Sequence, residues 1–426
     1  MFGNTRTASI LIPLVLGAVI ITMAYPVILI FIKSFAVNQP GQPTAWGFGG
    51  WLTAFNDRNL SGAIWNTLSL AAVRVVIATG LALFFAWIVT RTDTPFKNGI
   101  EFMLWLGFFL PLLPMTIGWI LLLDGRHGLI NQLLVKVFGM ETGPFDPFSY
   151  WGIVWCHLGF STSIRFLLIT PAFRTMDAAL EEAAMASGSN GLSTLFRITL
   201  PILAPAILVS TSLGFIKSLE SFELELVLGI PAGIYVLSTR IYDFAHADPP
   251  NYGAATALAS TFLVAILLLI WFQTILLGKR EYTTITGKGY QPRPLSIGRW
   301  RWVTFGFCML FIVVFVFLPL AALLMGTFMR VIGFYDLKDA WTLRHWMTAF
   351  DDPIFIRALT NTMILGIGAG LGATLIYAVI SYFIVRTQFF GRQALDFLLW
   401  LPWAVPGVLI GIALLWAILG SGDAVK

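Results

Sequence analysis

The chain has 426 residues, of which 58% are hydrophobic, 15% aromatic and only 11% charged. Soluble domains carry about a quarter charged residues, so no water-soluble fold could hide this apolar surface and the implied solvent is a lipid bilayer. The net charge of +5, from 26 Lys and Arg against 21 Asp and Glu, is therefore read by position rather than as a sign of nucleic-acid binding.

A spanning helix needs roughly 20 apolar residues to cross a core of about 30 Å. Residues 7–32 hold no charge. That run is longer than the apolar region of a signal peptide and no small-residue cleavage pattern follows, so a first span is expected rather than a leader. Further spans are expected at 59–90, 102–123, 151–173, 202–219, 249–278, 302–329, 358–385 and 397–422, nine in all. Three enclose one basic residue each: Arg74, Arg165 and Lys217. Arg74 and Lys217 fall near span ends, where a long side chain can snorkel to the interface. Arg165 lies deeper and is divided between a bundle-facing role and snorkelling. Cys156 and Cys308 sit in apolar runs and read as small buried hydrophobes. His127, His157, His246 and His345 are scattered, so no metal site or catalytic set is expected, and no cofactor.

Charge in the connections sets orientation. The stretch 279–301 holds Lys279, Arg280, Lys288, Arg293, Arg299 and Arg301 against Glu281. The stretch 220–248 holds Glu220, Glu223, Glu225, Asp243 and Asp248 against Arg240. The positive-inside rule puts the first in the cytoplasm, and with it residues 1–6, 91–101 and 174–201. Glu220 and Glu223 then stand at the outer mouth, where they and Arg165 are candidates for the solute path; a solvated loop is the plainer reading.

A repeat at an offset of 295 residues fixes the organisation. Trp51-Leu52-Thr53-Ala54-Phe55-Asn56-Asp57 matches Trp346-Met347-Thr348-Ala349-Phe350-Asp351-Asp352. Asn66-Thr67 matches Asn361-Thr362, Arg91-Thr92 matches Arg386-Thr387, Glu101-Phe102 matches Asp396-Phe397, and Trp105 and Pro111 match Trp400 and Pro406. Six spans separate equivalents, so the copies point the same way, a parallel duplication about the membrane normal. Residues 1–278 form a first copy of six spans, 279–301 a basic linker, and 302–426 a second copy of three spans, incomplete against an expected twelve. Glu101 and Asp396 open equivalent helices and suit the helix dipole.

The most informative segment runs Asp177-Ala178-Ala179-Leu180-Glu181-Glu182-Ala183-Ala184-Met185-Ala186-Ser187-Gly188, then Ile198-Thr199-Leu200-Pro201. Residues 180–187 are good helix formers. Gly188 suits a left-handed helix end, and Pro201 the first turn of the next, membrane-entering helix. The pattern resembles the EAA loop of binding-protein-dependent ABC importer permeases, with Glu182, Ala183, Ala184, Gly188, Ile198, Leu200 and Pro201 at the specified positions. The resemblance implies an all-α polytopic membrane protein with MetI-like transmembrane domains in parallel tandem repeat. It also implies a bacterial inner-membrane location with the N-terminus cytoplasmic. A separate ABC ATPase dimer would grip this loop, with Glu181 and Glu182 pairing to basic groups on it, and a periplasmic solute-binding protein would deliver the solute. The fused layout, Ile285-Thr286-Gly287-Lys288-Gly289 in the linker and Pro249-Pro250-Asn251-Tyr252-Gly253 resemble ferric-iron-type permeases; fused relatives carry thiamine, phosphonates or polyamines. Neither Gly278-Lys279-Arg280 nor Gly287-Lys288-Gly289 fits a phosphate-binding loop, so ATP hydrolysis is expected elsewhere. An ion-coupled secondary carrier would want an acid deep in a span, and none is placed there. No nucleic acid is expected.

Overall fold

A computed structural model describes residues 24–37, 45–177, 179–277, 294–335 and 337–387, with Gly17 and scattered positions between 391 and 414. The described residues are mainly helical, with one short hairpin. Helix α1 covers Tyr25–Lys33. Strands β1 (Ala36–Val37) and β2 (Ala45–Trp46) pair antiparallel, Ala36 opposite Trp46. There follow α2 (Gly49–Phe55), α3 (Leu60–Arg91), α4 (Lys97–Phe109), α5 (Leu112–Leu123), α6 (Leu129–Phe138), α7 (Tyr150–Thr175) and α8 (Ala179–Ala186). The rest are α9 (Gly191–Leu219), α10 (Leu237–His246), α11 (Tyr252–Leu277), α12 (Trp300–Thr327), α13 (Arg344–Asp351) and α14 (Pro353–Arg386).

Among the described residues six helices are long and apolar enough to span a bilayer: α3, α7, α9, α11, α12 and α14; α4 and α5 make a seventh if the bent pair counts as one span. The expected first and ninth spans, 7–32 and 397–422, fall largely outside the described residues, as does most of the linker 279–301. The expected straight span at 102–123 is instead two helices bent by 100°. The cause is Pro111, which excludes helical geometry from the residue before it; Leu110 is extended at φ −72°, ψ 130°. Among the described residues, π turns run over Leu195–Thr199, Glu225–Gly229 and Val313–Phe317. Each ends two residues before a proline: Pro201, Pro231 and Pro319. The widened turn accommodates a ring that would otherwise strike the carbonyl four residues back.

The repeat is visible in the elements. α2 and α13 begin 295 residues apart, and so do the ends of α3 and α14. Asn66 donates to the Tyr235 carbonyl at 3.0 Å and Thr67 Oγ1 accepts the Leu237 amide at 2.9 Å, which explains the Asn-Thr pair in the first copy. Asn361 and Thr362 are exposed.

The chain divides into two compact units. One comprises Ser61–Thr239 and the described part of Ile266–Ala340. Its core is aromatic and aliphatic, with Phe85, Ile88, Leu104, Phe166 and Phe173 fully buried. The rings of Phe85 and Phe311 lie 4.8 Å apart, and those of Trp155 and Phe315 4.6 Å apart. Span α12, which opens the second copy, is thus built into this core. A methyl group at Gly118 of α5 would overlap the Pro319 backbone of α12, so the two backbones meet where no side chain intervenes. The other unit holds the described residues of Met1–Leu60, Arg240–Ala265 and Trp341–Lys426. There Arg240 bridges Asp57 at 2.6 Å and Asp243 at 3.0 Å. Burial pushes the Asp243 carboxyl upward, opposed by Arg240. Of the 34 residues of α14, the described side chains include a single buried one, Ile380.

Gly118→Val should therefore overpack the α5–α12 contact, costing about 1–3 kcal/mol or more. A fall in the thermal unfolding midpoint of the detergent-purified chain checks this, and an unchanged midpoint refutes the close approach.

Candidate coupling site

The EAA-like segment folds as read between Asp177 and Gly188. Asp177 Oδ1 accepts the Ala179 amide at 2.9 Å and opens α8. At the far end Gly188 sits at φ +89°. Ser189 N donates to Ala184 O and Gly188 N to Met185 O, both at 3.0 Å. This pair of bonds is the Schellman motif, which satisfies the last carbonyls of α8 and needs a left-handed residue. Ala183, Ala186, Ser187 and Gly188 are exposed, as is Leu180; Glu182, Ala184 and Met185 are half-buried.

Beyond Gly188 the structure corrects the expected helix start. α9 begins at Gly191, capped by Asn190 accepting the Ser193 amide at 2.8 Å. Ile198 lies in the π turn, and Leu200 and Pro201 continue the same helix. Pro201 therefore lies within a helix, not in its first turn, and the preceding π turn makes that possible.

Glu181 is also corrected. It is buried, and its carboxylate is taken within the chain: Oε2 lies 2.8 Å from Arg91 Nε, and Oε1 accepts from Thr199 Oγ1 at 2.5 Å. It is not available to a partner's basic groups. Its direction follows from helical spacing, because Glu181 and Met185 share the inward face while Leu180 and Ala183 take the outward one. Arg91 Nη2 also donates to the Met176 carbonyl at 3.1 Å, at the turn into α8. A cleft of about 400 Å³ lined by Trp87, Arg91, Glu182, Met185, Thr194 and Leu295 lies beside the helix.

Sequence reasoning missed Arg91, although Arg386 keeps the same type at the repeat offset. It also missed the end of the linker, which carries no sequence signal. Leu295 N donates to Arg91 O at 2.8 Å and Asp93 N to Leu295 O at 3.1 Å. Asp93 Oδ1 accepts the Ile297 amide at 3.0 Å and Oδ2 the Ser296 hydroxyl at 3.1 Å. The Ile297 amide foremost, helped by the Ser296 hydroxyl, holds the Asp93 carboxyl below the ordinary carboxylate range against the opposing effect of desolvation.

Deeper in the same unit, Arg74 does not snorkel. It is fully buried, and its Nη1 lies 2.6 Å from Glu225 Oε1. The π turn at Glu225–Gly229 brings that acid against α7, with Leu224 and Leu228 buried beside it. Ser221 Oγ donates to Glu225 Oε2 at 2.6 Å. Arg165 is buried and bundle-facing. Its Nη1 donates to Ser161 O at 2.7 Å, and its guanidinium lies where a side chain at Gly214 would stand. Arg165 Nε and Nη2 have no hydrogen-bond partner among the described residues. Glu220 pairs with Lys217 at 2.7 Å. Burial raises the Glu220 carboxyl, and Lys217 opposes the rise. Glu223 is exposed. So the predicted mouth residues separate: Glu220 and the unselected Glu225 turn inward and Glu223 outward. Glu101 does not serve a helix start either. It lies on the second turn of α4 and pairs with Arg174, at the last turn of α7, at 2.5 Å. No group of three or more metal-binding side chains occurs among the described residues.

No protein-family model matches the sequence, but individual relatives do. The ferric transport system permease protein FbpB of Actinobacillus pleuropneumoniae is 29% identical over 402 residues, 92% of this chain and 56% of that protein. The molybdenum transport system permease protein ModB of Haemophilus influenzae is 32% identical over 209 residues, 47% of this chain and 85% of that protein. A solved bacterial alginate ABC transporter, in complex with an alginate pentasaccharide-bound periplasmic protein, has a chain with a TM-score of 0.52 at 20% identity, covering 65% of this chain and 96% of its own. The fold is that of an importer's membrane domain. With a ModB-type permease matched across most of its length, the chain belongs to the family of ABC importer permeases. It spans a little over half the length of the ferric relative.

Two outcomes follow. Glu225→Gln should strand the Arg74 charge in the core and cost about 3–5 kcal/mol, whereas replacing both by apolar residues should cost much less; thermal unfolding of the three proteins checks the order. A depressed folded-state pKa gives stability that is present above the unfolded carboxylate range and lost as pH falls through the folded value. The protection factor of the Ile297 amide should therefore be constant near neutrality and fall only in acid, below about pH 4, in hydrogen exchange corrected for intrinsic rates.

Proposed function

We propose that the chain is the permease subunit of a bacterial ATP-driven importer. It forms the solute path and takes its energy from a separate ATPase dimer that grips α8. The observation that carries this reading is the two-sided build of α8. Glu181 and Thr199 lash its inner side to the bundle, while Leu180, Ala183, Ala186 and Gly188 stay exposed. A helix anchored on one side and bare on the other can pass on a push; small Ala side chains let a foreign surface come close, and Glu182 stands beside that face. Leu192 and Phe196 of α9 are exposed as well.

The basic linker supports a cytoplasmic α8, with the N-terminus on the same side of the inner membrane. A periplasmic binding protein would deliver solute to the opposite face. ATP-driven closure of the ATPase would swing the two copies outward-open, and hydrolysis would reset them. The permease supplies geometry, and bond breaking happens on the other subunit. We assign ferric iron as the substrate, on the ferric-transport relative that aligns along nearly the whole chain. An oxyanion is the second reading, favoured by two buried guanidinium groups, Arg74 and Arg165, against the single carboxylate of Glu225.

Co-purification with an ABC ATPase encoded beside this frame tests the proposal. Glu182→Lys, and Gly188→Val, which forces a branched side chain to positive φ, should each reduce recovered ATPase by about tenfold, equivalent to 1.4 kcal/mol. Undiminished recovery in both variants overturns the assignment.

A further inference from the structure

Arg91 is the one residue among those described that touches three moving parts of this scheme at once. Its guanidinium holds Glu181 of α8 at 2.8 Å and the Met176 carbonyl, where α7 gives way to α8, at 3.1 Å. Its own carbonyl accepts the Leu295 amide at 2.8 Å, where the linker returns from the first copy to the second. Asp93, two residues on, grips the same return through its amide and both carboxylate oxygens. Thr94 then shares a hydroxyl contact of 2.8 Å with Thr304, already inside α12. α12 is in turn keyed into the unit at Pro319, against Gly118.

We propose that Arg91 is a positioning residue of the coupling step, and that the return 295–297, hung from Arg91 and Asp93, passes displacement of α8 to the first span of the second copy. The inference rests on the reading of α8 as the ATPase contact. The physics is that of a short, stiff chain. From Glu181 to Leu295 the links are a buried ion pair and backbone hydrogen bonds, and the partly exposed Asp93 carboxylate carries them on to Ser296 and Ile297. A buried pair with its hydrogen bonds made is costly to break, so the group moves as one body. The linker would then do more than join two copies covalently: it would give the second copy a direct reading of the first copy's motor. The second copy retains the arginine as Arg386, as expected of a part used in each half.

The test uses the full-length permease with its ATPase and binding protein in lipid nanodiscs and proteoliposomes. Two quantities are read: ATPase recovered with the permease, and solute taken up per ATP hydrolysed. Arg91→Gln should keep ATPase recovery and lower uptake per ATP by about fivefold or more, the lower end of typical coupling between sites. Arg91→Lys should restore most of it. Combining Arg91→Glu with Glu181→Arg should recover uptake that each single change loses. Asp93→Ala, at a partly exposed position, should lower uptake per ATP with only a small fall in the unfolding midpoint. It keeps the test decisive if Arg91→Gln fails to fold. Uptake per ATP equal to the parent in Asp93→Ala, or equal losses of recovery and uptake in the Arg91 variants, overturns the proposal. Failure of the unaltered permease to recover ATPase instead overturns the reading of α8 itself.

Discussion

The buried pair between Arg91 and Glu181 sets the conditions for the rest of the site. An ammonium or guanidinium taken out of water demands a partner, because desolvation costs several kcal/mol per ion. Here the partner is the first acid of an amphipathic eight-residue helix too short to hold itself together in water. α8 persists because one side is tied to the end of α3 and its last carbonyls are closed by the Gly188 motif. Its outward face is then free of structural duty. That division of labour within two helical turns separates the inward Glu181 from the neighbouring Glu182.

The same electrostatic rule explains why two buried ion pairs, Arg91–Glu181 and Arg74–Glu225, and a third pair in which a buried Glu101 meets an exposed Arg174, occur in one unit. Arg91–Glu181 and Glu101–Arg174 lie at the ends of α3, α4 and α7, and one partner of each, Arg91 and Glu101, has a counterpart of like charge at the repeat offset, Arg386 and Asp396. Arg74–Glu225 is different. At the repeat offset Arg74 becomes Ala369, within Gly366-Ile367-Gly368-Ala369-Gly370. A duplicated scaffold that dispenses with a charge in one copy does not need it for folding. The charge of Arg74 is therefore a feature of the first copy, and the two copies differ at this position.

How much was legible follows from what each signal encodes. The spans, the parallel duplication and the α8–Gly188 unit came directly from apolar runs, the 295-residue offset and helix-end chemistry. These are local or periodic properties, and the 295-residue offset recurs in the starts of α2 and α13 and the ends of α3 and α14. The bend at Pro111 and the π turns before Pro201, Pro231 and Pro319 were written in the prolines. They were overlooked because a continuous apolar run was taken to mean a continuous helix. The burial of Arg74 could not be read from its distance to the span end, since its partner Glu225 lies 151 positions away in what looked like a solvated acidic loop. Snorkelling is the default for a lone cation and fails when a distant acid is folded back to meet it. The grip of Asp93 on 295–297 had no signal at all, because two of its bonds run through backbone atoms that every residue shares.

The location of that grip bears on why two permease copies would be joined in one chain. A linker whose only task was to keep the copies together could leave the first copy anywhere on its surface and would gain from being slack. The linker end seen here is neither slack nor placed at random. It lies as a single bridge beside Thr92, its partners are the two residues flanking that position, and one of them is the arginine that holds α8. A tether so placed loses conformational freedom and adds only the half-buried Leu295 and Ile297, so its retention is better explained by transmitted position than by stability. In that view fusion makes the path from one motor contact to the opposite copy covalent and short, where separate subunits would have to rely on the packing between them.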